Sequence, residues 1–222
     1  MNYLNLIIIQ KKYWLKIAMT NGPYLISFKR KDNIPLLNKN NTKIKQNNKK
    51  KKFSPLSGSE LKYEPYKWNN KNVVSSHNCY SYAMGKIVKE LKDKAQPGYA
   101  SGFNYLNDNN MTCYNLKRRL LKDNPASYTE KFENRCLPGF YKVFLALDVG
   151  NDYHWWRQDN NKYWSHKPGS TNVSNKDGNR EKINDPLNSS RKFTTRNYSK
   201  PCFYACIQSD LSRTLDEIYT TK

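Results

Sequence analysis

The chain has 222 residues, of which 37% are hydrophobic and 26% charged, and it carries a formal net charge of +21. That length accommodates one good-sized domain, or a domain with extensions, and the N-terminal apolar run Leu4 to Ile9 is far below the roughly 20 residues that span a bilayer. The basic excess favours polyanions such as nucleic acid, anionic lipid heads or acidic glycans, without choosing among them.

Residues 1–60 hold 13 Lys and Arg against 2 acidic residues, so the first quarter of the chain carries a net of +11, half of the excess. No basic residue precedes Leu4 to Ile9, the reverse of a secretory signal. The sequence therefore predicts no signal peptide, leaving the compartment open, with a virion or host cytoplasm as candidates. Residues 1–30 read as an N-terminal extension. Residues 31–60 read as an Asn/Lys-rich disordered linker, because Asn38 to Lys52 offers too little apolar surface to offset the entropy of ordering. The basic residues 43–52 are the candidate polyanion contact.

The folded domain is expected over residues 61–222. Tyr63, Tyr66 and Trp68 supply aromatic anchors at its start. Asn78 is a good N-cap, and Ala83, Ile87 and Leu91 share a helical face, so the spacing predicts a helix of about four turns. Cys79 opens it, and Pro97-Gly98 closes it. A second helix runs from a Thr112 cap through Leu116, Leu120 and Leu121 to Asn124-Pro125. Phe140 to Val149 is apolar on both faces and reads as a central strand.

Two aromatic runs then flank Asp159-Asn160-Asn161, the pattern of a β-hairpin. With Asn160 at its centre, His154 lies directly across from His166, with Cβ atoms about 4.5–5.5 Å apart. Trp156 and Trp164 share their face. Residues 167–190 are punctuated by Pro-Gly, Asp-Gly and Asp-Pro pairs and read as a long loop, a lip over the site. Phe203 to Ile207 returns as a strand, and Asp210 to Thr220 forms a terminal helix.

Five cysteines leave at least one outside any intramolecular disulfide set. With Cys79 free, Cys113, Cys136, Cys202 and Cys206 allow two disulfides, whose formation the sequence leaves open. A thiol is nucleophilic as thiolate, which a helix N-terminus and a neighbouring imidazole both favour. Cys79 has the first, and the hairpin supplies the second, with His154 as base and His166 as orienting group. A zinc set of His77, Cys79, His154 and His166 is the competing reading, against which the His-x-Cys spacing speaks.

A Cys at a helix start, then a strand with His, a short turn and a second strand with a polar residue resembles the NlpC-type papain-fold cysteine peptidases and amidases. The resemblance covers roughly Lys62 to Ile207. It implies an α+β papain-like fold, with the helix carrying Cys79 packed on an antiparallel sheet. It also implies a peptide, amide or peptidoglycan-like substrate and no cofactor or metal. Cys79 is then the nucleophile, His154 the general base and His166 the orienting residue. His77, Asn78, Trp156 and Trp164 are candidate oxyanion or substrate contacts. The sequence departs from the family in having Asn78 before the Cys, bulky Tyr80 after it, and Val73 where a Gln donor would sit. The whole block, including the Trp164 to Gly169 turn, also resembles an uncharacterised family found in large DNA viruses and microbes. The alternative is a non-catalytic basic binding or structural protein. Seventeen tyrosines and five tryptophans beside many cations suit stacking on bases, although no zinc-finger spacing, RNA-recognition core or helix-turn-helix is present.

Overall fold

A computed structural model describes residues 52–88 and 94–209. The N-terminal extension, the linker up to residue 51 with most of the 43–52 basic patch, and the terminal helix expected from Asp210 lie outside these residues. Within them the chain is α+β: a five-stranded antiparallel sheet with short helices. Residues 53–60, expected within the linker, instead run along the domain. Gln158 Nε2 donates to Ser54 O at 2.8 Å, and Asn160 N donates to the neighbouring Leu61 O at 3.0 Å.

The helices are α1 (Pro65–Trp68), α2 (Cys79–Ala83) and α3 (Cys113–Asp123). The last begins at its Thr112 cap, whose side chain accepts from Asn115 N, and ends at Asn124, as the spacing predicts. The helix after Asn78 is far shorter than four turns. Gly85 sits at φ +67°, its N–H bonding Tyr82 O while Lys86 N bonds Ser81 O. This pair of bonds around a left-handed glycine is a Schellman stop. The apolar spacing of Ile87 had masked it, and Ile87 is in fact exposed. A Cβ at position 85 would lie 2.4 Å from Leu61 Cδ1, so the stop also lets the 53–61 segment pack closely.

The strands are β1 (Tyr128–Glu130), β2 (Phe140–Asp148), β3 (Asp152–Gln158), β4 (Trp164–His166) and β5 (Lys200–Gln208), in the order β1-β5-β2-β3-β4. β2 is central, as its two apolar faces require. Tyr141, Val143, Leu145 and Leu147 point to the layer that holds α2 and α3, together with Tyr153 and Trp155. Phe144 and Ala146 point to the other layer, with Trp156, Trp164, Tyr198 and Tyr204. That second layer is covered by the loop from residue 167 to 199. The loop is anchored by bridges such as His166 to Ser174, and by Trp164 N donating to Ile183 O at 2.9 Å.

Two disulfides tie distant parts to β5: Cys113 to Cys202, and Cys136 to Cys206. They close sequence separations of 89 and 70 residues, each worth about 4 kcal/mol on a loop-entropy argument. Cys202 and Cys206, four residues apart, both lie on β5 and each is taken up in a bridge.

Three cations are struts rather than surface charges. Lys142 is buried in β2, and its ammonium donates to Ser54 Oγ at 2.8 Å and to the carbonyls of Lys131, Phe132 and Asn134. Lys167 donates to Val74 O, Gly169 O and Thr171 O at 2.6–3.0 Å. Arg157 pairs with Asp159 Oδ1 at 3.1 Å and also donates to Tyr82 O, Tyr82 Oη and Lys62 O. Replacing Arg157 by Met is expected to destabilise the domain by about 3–5 kcal/mol, because Asp159 is left buried without its counter-charge. Urea unfolding would measure it, and a loss below 1 kcal/mol would contradict this account of the strut.

Candidate active site

The hairpin that carries the histidines forms two residues out of the register that a turn centred on Asn160 would give. Asp159 N donates to Tyr163 O, Lys162 N donates to Asp159 O, and Lys162 itself takes the left-handed conformation at φ 74°. The loop is therefore Asn160-Asn161-Lys162, a three-residue turn ending in a left-handed residue. Its centre is Asn161, and Trp156, not His154, pairs with His166. A shift of two residues leaves every side chain on its original face. His154 and His166 become diagonal neighbours and still meet, Nε2 to Nδ1 at 2.8 Å.

The partners of this pair assign its protons. His166 Nε2 lies 2.9 Å from Lys176 O, and a carbonyl only accepts, so His166 carries its proton on Nε2 and offers a lone pair at Nδ1. His154 must then donate from Nε2, which leaves the lone pair of the neutral ring on Nδ1. Both rings are buried. Burial, then the neighbouring His166, holds His154 well below the usual histidine range. Burial brings His166 down to about 4, against the opposing pull of the Lys176 carbonyl.

Cys79 begins α2. The Asn78 side chain caps the helix, its Oδ1 accepting from Tyr80 N and Ser81 N while its Nδ2 donates to Ala95 O at 2.7 Å. All five cysteines are described, and Cys79 alone is free. It packs in the layer of Tyr153 and Trp155, whereas His154, one residue along, belongs to the opposite face of β3. Both residues nevertheless line one cleft of about 550 Å³, with Asn78, Asp152, Tyr198 and Lys94. The hydrogen bond of the thiol is a long one, 3.9 Å to Tyr153 O. Burial foremost, with Asp152 nearby, pushes the thiol up to about 12, so the resting group is S–H.

The other sequence candidates divide. Asn78 lines the cleft. His77 lies elsewhere, with Nε2 accepting from Val88 N at 3.0 Å and Nδ1 facing Val73 O and Ser76 Oγ, a tie between the ends of the 73–88 segment. Trp156 stands behind the histidines, stacked on His166 and edge-on to His154. Trp164 is fully buried in the second layer. Among the described residues, no three His, Cys, Asp or Glu side chains converge as metal ligands, so the zinc set is not assembled.

Tyr198 was not foreseen. Its ring stacks on His154 with centroids 4.9 Å apart, and its hydroxyl donates to Asp152 Oδ2 at 2.9 Å. Asp152 lies two residues from His154 and was legible as a neighbour. Tyr198 arrives from the far end of the loop, with no local signal.

The sequence is similar to insoluble matrix shell protein 1 of Ruditapes philippinarum, with 34% identity over 136 residues that make up 59% of this chain and 81% of the relative. The chain belongs to that protein's family. No protein-family model matches it, and no solved structure does. The described residues include no helix long and apolar enough to cross a membrane.

Proposed function

We propose that this domain is a thiol acyl-transfer enzyme of papain-like, NlpC-type design, cleaving an amide or peptide bond through Cys79, His154 and His166. One observation carries the reading: a free thiol shares a cleft with a histidine whose lone pair is directed to Nδ1 by a second histidine behind it. The resting S–H means that Cys79 attacks as His154 takes its proton, in one general-base step, rather than from a standing ion pair. The tetrahedral oxyanion takes a hydrogen bond from the Cys79 N–H, which is not among the donors the Asn78 cap takes up. His154 then returns the proton to the leaving amine, and water releases the acyl group.

The test is alkylation of Cys79 by iodoacetamide across pH, in the intact protein and in His154→Ala. A histidine-assisted rate that is flat through neutral pH is expected, disappearing in the variant to leave only the rise toward pH 12. Identical profiles in the two proteins would sink the reading.

A second reading has its own support. The relative is named an insoluble matrix shell protein, and two disulfides suit an oxidising, extracellular compartment rather than a cytoplasm. On that reading the basic chain is a structural matrix component contacting acidic polymers, and Cys79 is a buried core thiol. Polyanion binding would then weaken steeply with salt, and His154 would have no effect on alkylation.

A further inference from the structure

The histidine pair works as a base in one tautomer only, and the group that selects that tautomer is the Lys176 carbonyl. Without it, His166 is free to carry its proton on Nδ1. His154 Nε2 would then have to accept, and the His154 proton would move to Nδ1, the nitrogen the thiol needs empty. What holds the Lys176 carbonyl in place is therefore part of the site's chemistry.

Residue 176 sits at the start of an excursion that leaves β4 and returns. His166 and Ser174 exchange backbone hydrogen bonds at 2.8 Å each, Lys176 bridges to Lys182, and Ile183 N donates to Asn175 O at 3.1 Å. Asp177 organises the tip. Its Oδ1 accepts from Asn179 N and Glu181 N, both at 2.9 Å, and its Oδ2 accepts from Ser190 N at 2.9 Å. Its own backbone adds Asp177 N to Glu181 O at 2.8 Å and Arg180 N to Asp177 O at 2.9 Å. One carboxylate thus pins both the tip and the 190 segment. The two run so close that a Cβ at Gly178 would lie 2.0 Å from Lys192 O.

We propose that Asp177 is a positioning residue: by fixing the 176–181 turn it aims the Lys176 carbonyl at His166 and so sets the proton positions of the His166–His154 relay. Its consequence for catalysis rests on the thiol reading above, whereas the proton positions do not. The same carboxylate lies close enough to favour a proton on His166.

The experiment is imidazole nitrogen NMR on the uniformly labelled protein, comparing the intact chain with Asp177→Ala and Asp177→Asn. His154 and His166 of the intact protein are each expected to show a single tautomer, protonated at Nε2. Asp177→Ala is expected to give a mixture at both rings. Asp177→Asn keeps an oxygen for Asn179 and Glu181 and loses the Ser190 bond, so it is expected to lie between. An unchanged single tautomer in Asp177→Ala overturns the proposal. Should that variant fail to fold, an unchanged tautomer in Asp177→Asn overturns it equally. The spectra need no turnover, so a failure of the enzyme reading in the alkylation test and a failure here are told apart.

Discussion

Cys79→Ala is expected to lower kcat/KM on peptidyl anilides by at least about 10³-fold, to the uncatalysed level, because no other thiol in the chain is free to take its place. His154→Ala should fall close to it, since a resting S–H held near 12 has no other route to a thiolate at neutral pH. His166→Ala should cost less, about tenfold. The His154 ring remains, and water fills the gap, but both tautomers become populated and only one is competent. His166→Asn retains an oxygen that accepts from His154 Nε2, and should recover most of that loss. This ordering separates a base and its orienting partner from two core side chains. Equal losses in His166→Ala and His166→Asn would count against the orienting role. Residual turnover in Cys79→Ala would remove Cys79 from the mechanism.

Acid is expected to unfold this domain well before its carboxylates would predict. His166 titrates near 4 in the folded chain and near the ordinary 6.5 when unfolded. Between those values the unfolded chain binds a proton that the folded chain refuses, so stability falls as pH falls from 6.5 to 4. For His166 alone the loss is about 3 kcal/mol. His154, lowered further by burial and by its partner, adds in the same direction, as does buried His77. Asp152, raised by burial, works the other way and offsets part of the loss. Urea midpoints at pH 7 and 4.5 measure the sum, and a His154→Phe/His166→Phe double variant should flatten the dependence. A midpoint that does not move between the two pH values would refute the neutral, buried pair.

Net charge is a poor guide to this surface. Lys142, Lys167 and Arg157 count toward the +21 yet are buried among carbonyls and a carboxylate. A polyanion footprint drawn from composition alone overstates the described domain by these charges.

What the amino-acid order determined by itself was local. Thr112 and Asn124-Pro125 bound their helix. Asn78 caps the turn that opens at Cys79, and the two-faced apolar run of β2 makes it central. The parity of His154, Trp156, Trp164 and His166 puts them on one face in either register, the expected one or the one formed, because the two differ by an even number of residues. Each depends on backbone preferences or side-chain periodicity within a few residues. Tertiary structure decided the rest. Lys162, rather than an Asn, took the left-handed position and moved the register by two, and Gly85 stopped a helix that the apolar spacing prolonged. Four cysteines allow three pairings, and strand order chose one by bringing α3 and the 136 loop to β5. Lys142 and Lys167 could stay inside only because Ser54 and Val74, 88 and 93 residues away in sequence, bring them hydrogen-bond acceptors. Tyr198 and the Lys176 carbonyl reach the histidines only through the folded loop. A buried polar group needs its partner in space, and the identity of that partner is set by the packing of distant segments, which local order does not contain.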